Sequence, residues 1–152
     1  MNILMFLIPK SEVDCLYLEE TLGQSFYRME RHCFGTYPLI SQKTGKYIGT
    51  ITEGDILRDV GYRDAIMSQE LSSPISRVKR IRDYKAMRAD SEVSEIFDMA
   101  ITQNFVPVVD DSGIFIGIVK RSGILRYVRK NFKELEPTLL NIAEKQEEKH
   151  LS

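Results

Sequence analysis

The stretch Phe34-Gly35-Thr36-Tyr37-Pro38-Leu39-Ile40, a polar turn, and then Tyr47-Ile48-Gly49-Thr50-Ile51-Thr52 decides the fold, because the chain contains it twice. It returns as Phe105-Val106-Pro107-Val108-Val109, a turn, and Phe115-Ile116-Gly117-Ile118-Val119-Lys120. The prolines stand 69 residues apart and the glycines 68, one residue of turn length making the difference. Each copy is then one supersecondary unit, which buries its apolar face only by packing on the other. Upstream, Leu22, Phe26 and Met29 fall at helical spacing, as do Val93, Ile96, Phe97 and Ala100. Leu22/Val93 and Phe26/Phe97 are each 71 apart, so the second copy has lost two residues between its helix and its strand. Downstream, Gly54-Asp55-Ile56-Leu57-Arg58 answers Ser122-Gly123-Ile124-Leu125-Arg126.

Each copy reads strand, helix, strand, turn, strand, helix. Thr21 and Ser91 stand where helix N-caps belong. Lys43-Thr44-Gly45-Lys46 and Asp110-Asp111-Ser112-Gly113 carry the polar and glycine chemistry of tight turns. The middle strands are continuous apolar runs, which predicts burial on both faces. A copy of about sixty residues buries too little surface to fold alone. The predicted fold is therefore α/β, two β-α-β-β-α copies packed as one unit. Repeat 1 is placed at residues 9–63, a linker at 64–83 and repeat 2 at 84–132. Residues 133–152 form a C-terminal helix and tail, the helix running from about Glu136 to His150 with Pro137 near its start.

Composition excludes several classes. The 152 residues carry 21 Lys+Arg against 22 Asp+Glu, a balance unlike that of a nucleic-acid coat or a polybasic membrane binder. Residues 1–76 carry 7 basic and 10 acidic side chains and residues 77–152 carry 14 and 12, an asymmetry that would favour an antisymmetric assembly. The basic run Arg77, Lys79, Arg80, Arg82, Lys85 and Arg88 is expected to be a solvated linker, with phosphate or nucleic-acid contact as the other possibility. No apolar stretch is long enough to cross a bilayer. Ile3 to Ile8 is apolar but lacks the basic flank and cleavage site of a secretory signal, so burial in the fold or in a subunit contact is expected. Cys15 and Cys33 form no C-x-x-C and no disulfide framework, which points to a reducing, cytoplasmic setting with Cys33 buried. His32 and His150 have no metal-ligand spacing. Gly45-Lys46 lacks the flanking residues of a phosphate loop. No nucleophile–base set is suggested, so an enzyme is not expected.

The residues Pro38-Leu39-Ile40 … Gly49-Thr50-Ile51-Thr52-Glu53-Gly54-Asp55-Ile56-Leu57, answered by Phe105 to Asp110 and Gly117 to Leu125, resemble the CBS domain, named after cystathionine β-synthase. The resemblance covers about Pro9 to Lys130 and implies two CBS domains in tandem, a Bateman module, of the stand-alone bacterial type. Such modules bind adenosine-containing ligands in two clefts between the repeats, so AMP, ADP, ATP, S-adenosylmethionine or cyclic di-AMP becomes the expected ligand, with no cofactor required. Carried over by position, the first cleft would use Thr52 and Asp55, with Lys85, Ala86, Phe105, Val106 and Pro107 opposite. The chemistry fits, since a carboxylate facing an open cleft accepts strong bonds from vicinal ribose hydroxyls. A helix amino terminus beside it offers N–H groups to phosphate. The same two residues would equally serve as a plain helix cap. In the second cleft Gly123 replaces the Asp and Lys120 the Thr. Lys120, Arg121 and Ser122 make that edge positive, opposite Cys15, Tyr37 and Pro38, with Asp14 a poor neighbour for phosphate. This loop is similar to the Thr-Arg-Arg loop of small stand-alone CBS proteins that bind cyclic di-AMP, Arg121 being the direct match.

The function these residues imply is that of a regulatory module that senses an adenosyl ligand and alters contacts with a partner protein. The alternative is a protein-interaction module whose clefts no longer bind nucleotide. The resemblance further implies a homodimer formed through helices. Neither membrane nor nucleic acid is expected as a partner.

Overall fold

The apolar runs around Pro38 and Pro107 become the central strands of two sheets in a computed structural model that describes residues 2–32, 34–60 and 71–151. The elements are β1 (Ile8–Pro9), β2 (Leu16–Tyr17), α1 (Leu22–His32), β3 (Thr36–Ile40), β4 (Tyr47–Thr52) and α2 (Glu53–Val60). They continue as β5 (Met87–Arg88), α3 (Val93–Thr102), β6 (Phe105–Val109), β7 (Phe115–Lys120), α4 (Arg121–Lys130) and α5 (Phe132–Leu151). The fold is α/β, with the expected β-α-β-β-α order in both copies and a C-terminal helix. In the first, β2 lies parallel to β3 (Leu16 opposite Leu39) and β4 antiparallel to it (Pro38 opposite Thr50). In the second, β5 and β7 flank β6 in the same way (Met87 opposite Val108, Pro107 opposite Ile118).

Each copy is completed by the segment that precedes the other. β1 comes before repeat 1 yet pairs antiparallel with β7 of repeat 2, Ile8 opposite Ile118. Ile3, in a short 3-10 turn over Ile3–Phe6, is buried in the second core with Met87, Val106 and Val119. Conversely, the stretch before repeat 2 packs on repeat 1. Leu22 N–H donates to the Ser73 carbonyl and Ile75 N–H to that of Glu20, both at 2.9 Å. Ile75 and Val78 are buried with Leu16, Leu39 and Ile51. Thr50 is gripped on both sides: its N–H donates to Asp83 Oδ1 (3.1 Å) and its hydroxyl oxygen accepts from Tyr84 N–H (2.9 Å).

The glycines of the repeated motif are explained by this exchange. A Cβ at Gly117, whose φ is +158°, would run into the Ile8 backbone carbonyl, and one at Gly49 would meet the Arg80–Asp83 ion pair. Only a bare backbone lets the crossing segment come that close. Between the sheets a third cluster joins the copies through Cys15, Ile40, Phe105, Phe115 and Ile118, with Tyr47 and Tyr84 at its margin. The Tyr47 hydroxyl donates to the Tyr84 carbonyl at 2.5 Å, and burial, followed by the nearby Asp83 charge, pushes this phenol above its ordinary range. The hairpin tips also bond to each other. Phe115 N–H donates to the Gly45 carbonyl (3.0 Å) and Tyr47 N–H to that of Gly113 (3.1 Å), both glycines having positive φ.

Some expectations need correction. The N-cap of α3 is Glu92, not Ser91, and it makes no side-chain capping bond. The last helix begins at Phe132, four residues early, so Pro137 sits inside it. Pro137 is its sixth residue, just past the turn whose N–H groups have no intrahelical partner, so the helix gives up the bond to the Lys133 carbonyl there. Of the apolar amino-terminal run, Ile3 is buried while Leu4 and Met5 are exposed. Cys33 and the boundary at 63/64 lie outside the described residues.

Two predictions concern this frame. Glu19 Oε2 accepts from Gln42 N–H and its Oε1 from the Ser41 hydroxyl, both at 2.8 Å, so the carboxylate holds the tip of the first hairpin. The backbone bond from Gln42, then that from Ser41, lowers its pKa from 4.5 to about 2. A depressed folded-state value contributes stability above the unfolded pKa that is lost as pH falls from 4.5 through about 2. Wild type should therefore lose more stability across that window than Glu19→Gln, and a Glu19 carboxyl titrating at an ordinary value by NMR would refute the assignment. Gly117→Ala should lower stability by about 1–3 kcal/mol through overpacking. Gly123→Ala should cost nothing, because a Cβ there meets no atom within 4 Å, and should gain up to about 1 kcal/mol of helix propensity. Urea midpoints of the two variants make the comparison.

Candidate functional site

The first cleft starts at the junction of β4 and α2. Thr52 caps α2 and Asp55 is the third helical residue, giving a reciprocal capping box. Asp55 N–H donates to Thr52 Oγ1 and Thr52 N–H to Asp55 Oδ2, both at 3.0 Å. The other carboxylate oxygen accepts from Arg58 Nη2 at 2.7 Å and from the Ile81 N–H at 3.3 Å. Asp55 is 1% exposed, so it does not face an open cleft as expected. The opposite wall is also bonded internally. Lys85 is exposed in its side chain, but its N–H donates to Gln103 Oε1 (2.9 Å) and its carbonyl accepts from Gln103 Nε2 (3.1 Å). Ala86 is half-buried, while Phe105, Val106 and Pro107 are buried, with Tyr84 edge-on to Phe105 at 5.0 Å.

The second cleft is open. Lys120 is the N-cap of α4 and makes no side-chain capping bond, and Gly123 stands where Asp55 stands in α2. Both halves of the capping box are therefore missing: the Arg121 N–H donates to the Asn104 carbonyl at 3.0 Å, but the Gly123 N–H has no capping side chain. In front of it runs a trough of about 410 Å³ lined by Phe34, Thr36, Asn104, Lys120, Arg121 and Ser122. A narrower recess of about 80 Å³ leads inward past Val13, Asp14, Thr36, Pro38 and Phe105. The trough lies within the ~300–1,000 Å³ typical of small-molecule sites.

Charge in this cleft is mixed. Lys120 Nζ stands 5.7 Å from the centre of the Phe34 ring, within cation–π range. Arg121 is steadied by the Ala100 carbonyl (3.2 Å) and by Asn104 Oδ1. Ser122 is exposed. Asp14, on the facing wall, pairs with His32 Nδ1 at 3.2 Å, which draws its carboxylate aside. Cys15 is buried in the cluster between the sheets, which pushes its thiol up to about 12, and it lines neither the trough nor the recess, contrary to expectation. Tyr37 is buried beneath the floor, its hydroxyl oxygen accepting from Phe34 N–H at 3.0 Å. Pro38 lines the recess.

The basic run is paired in part: Arg77 with Asp59 at 3.6 Å, Arg80 with Asp83 at 2.6 Å and Arg88 with Asp90 at 2.9 Å. Among the described residues no helix is long and apolar enough to cross a membrane, and no group of three His, Cys, Asp or Glu could hold a metal ion.

Sequence reasoning missed Arg58, Ile81 and Gln103 at the first cleft and Phe34, Thr36 and Asn104 at the second. Arg58 was detectable, three places beyond Asp55 on the same helical face. Gln103 and Phe34 occupy matched places in the two copies and were passed over because they differ.

Asp55→Ala should destabilise the fold by about 2–3 kcal/mol, since it removes a cap and charge-assisted bonds from a buried site. Thermal melting of the purified variant tests this. An unchanged melting temperature would mean that those bonds contribute nothing.

The pattern of the CBS domain matches residues 7–62 and 78–130. An uncharacterized protein of Methanopyrus kandleri is 29% identical over 114 residues, which is 70% of this chain and 53% of that protein. The chain thus spans about half the length of that curated relative. A CBS domain protein from Streptococcus pneumoniae superposes with a TM-score of 0.73 at 23% identity, covering 84% of this chain and 86% of the other. The Listeria monocytogenes CbpB protein in complex with c-di-AMP does so with 0.73 at 21%, covering 87% and 98%. With two matches that together span more than half of its length, at the two repeats built above, the chain belongs to the CBS domain family.

Proposed function

We propose that the protein is a regulatory module that binds an adenine nucleotide in its second cleft and, on binding, alters its contacts with a partner protein. The observation that carries the reading is the uncapped α4. A helix terminus without a side-chain cap, with Lys120, Arg121 and Ser122, faces a trough large enough for a nucleotide, and phosphate is favoured at such a terminus. Support comes also from the likeness to CbpB, which was solved with c-di-AMP bound. The first cleft, with Asp55 and the Lys85 backbone already bonded, is the weaker of the two for a ligand. That closure equally favours the reading as an interaction module without nucleotide, and binding separates the two.

Isothermal titration with AMP, ADP, ATP, S-adenosylmethionine and cyclic di-AMP is the test. At least one should bind, and Lys120→Ala should weaken it about ten- to a hundredfold, the value of a charge-assisted contact. Ligand at ~100 times its dissociation constant should stabilise the protein by about 2.7 kcal/mol. Binding of none of the five would leave the interaction module.

The module is further proposed to act as a homodimer. Its accessible surface is 9959 Å², against about 7,900 Å² expected for a monomer of its 17.6 kDa. Ile101, Leu125, Phe132 and Leu140 are exposed on its helices. Light scattering should give twice the monomer mass.

A further inference from the structure

The two copies differ at a position where their backbones are equivalent. Gly35 and Asn104 precede the central strands. The Gly35 carbonyl accepts from Glu53 N–H, the first residue of α2, as the Asn104 carbonyl accepts from Arg121 N–H, the first residue of α4. On the facing strands, Leu18 N–H donates to the Ile40 carbonyl as Ala89 N–H does to that of Val109. These matched bonds fix the register. Phe34 corresponds to Gln103, and Asp14 corresponds to Lys85.

Gln103 is 6% exposed, and its carboxamide is spent on the neighbouring backbone. It accepts from Lys85 N–H, donates to the Lys85 carbonyl, and reaches the Phe105 carbonyl at 3.4 Å. A primary carboxamide and an edge of adenine present the same pattern, one N–H donor beside one acceptor. The equivalent backbone pair in the other copy, the N–H and carbonyl of Asp14, is bonded by no side chain among the described residues. The Phe34 side chain has no hydrogen-bonding group and the residue is 47% exposed, and the recess beside Asp14 and Thr36 is a space of about 80 Å³.

We infer that Gln103 is a built-in occupant of the first cleft, its carboxamide taking the donor–acceptor pair that an adenine edge would take, and that the residue at this position decides which cleft is open. The inference rests on the nucleotide reading above only for its ligand; the plug itself is a property of the free protein. It makes the module a single-cleft binder with one ligand per chain. It also makes Phe34 the residue that leaves the second base-recognition edge vacant.

The test is a transplant, read by amide hydrogen exchange at Lys85 and Asp14 and by titration with the best of the five nucleotides. Gln103→Ala should speed exchange of the Lys85 amide about tenfold, the value of one lost hydrogen bond. Phe34→Gln should slow exchange of the Asp14 amide by a similar factor and weaken nucleotide binding at least tenfold. Phe34→Leu should leave Asp14 exchange at its wild-type rate. Should Gln103→Ala fail to fold, the Phe34 variants carry the test alone. Wild-type binding with no change in Phe34→Gln at either readout overturns the inference and leaves the proposed function standing. Slowed exchange at Asp14 in a protein that binds none of the nucleotides does the reverse.

Discussion

Everything in this molecule depends on the exchange of leading segments between the two copies. A three-stranded unit with two helices has too little interior to hold alone, and each copy acquires its remaining core from the chain that leads into the other. Ile3 completes the core of the second repeat, and Ile75 and Val78 complete that of the first. The crossing happens over the last strand of each hairpin, where Gly49 and Gly117 leave the backbone bare. A glycine in a strand interior is ordinarily a weakness. Here it is the condition for the copies to interlock. The interlock, the shared apolar cluster around Phe115 and the paired hairpin tips hold the clefts in fixed relation to both repeats.

Within that symmetric frame the two clefts have diverged by a few side chains. α2 carries a complete capping box, while at the same positions α4 has Lys120 and Gly123 and is uncapped. Gln103 fastens the first cleft, while Phe34 leaves the second unfastened. Every one of these differences acts in the same direction. The first cleft, built by α2 of the first copy and Gln103 of the second, bonds its own polar groups internally, and the second cleft leaves donors and cations facing solvent. Buried polar groups must be paired somewhere. A cleft that pairs them internally has little left to offer a ligand.

Much of the fold was legible because hydrophobic period and turn chemistry are local. The two apolar strands, the turns at Gly45 and Gly113 and the helices at Leu22 and Val93 follow from near neighbours in sequence. The clefts were less legible. Asp55 looked free because its near neighbours suggested a ribose grip. Its buried state depends on the Ile81 N–H, 26 residues away, which the exchanged segment delivers. The role of Gln103 was hidden for a related reason. A repeat is recognised by residues that match, and this one acts through a difference. Lys120, Arg121 and Ser122 were readable as a positive edge, since charge needs no long-range partner to declare itself. The early start of α5 at Phe132 escaped because Pro137 suggested a first turn, whereas it sits one turn further in, where a proline is ordinarily unfavourable.

The asymmetry bears on how such a module can transmit a signal. A ligand shifts a conformational equilibrium only by its differential affinity for the two states. On the reading proposed above, the ligand stands between α4 of one repeat and the strand edge at Asp14, which leads into the other. It therefore touches both bodies whose relative placement is to be sensed. The first cleft is bridged already: Asp55 to Ile81, Thr50 to Asp83 and Tyr84, and Gln103 to Lys85 tie the linker to both repeats with no ligand present. Those bonds hold the first cleft together with no ligand present. Across the second cleft Phe34 and Lys120 meet ring to cation, an interaction worth about 0.5–1 kcal/mol at an exposed position. A contact that weak opens and closes readily, and a phosphate that binds Lys120 competes for the same cation. Binding at the open cleft and release of the Phe34–Lys120 contact are thus coupled by chemistry, because one ammonium group cannot fully serve both.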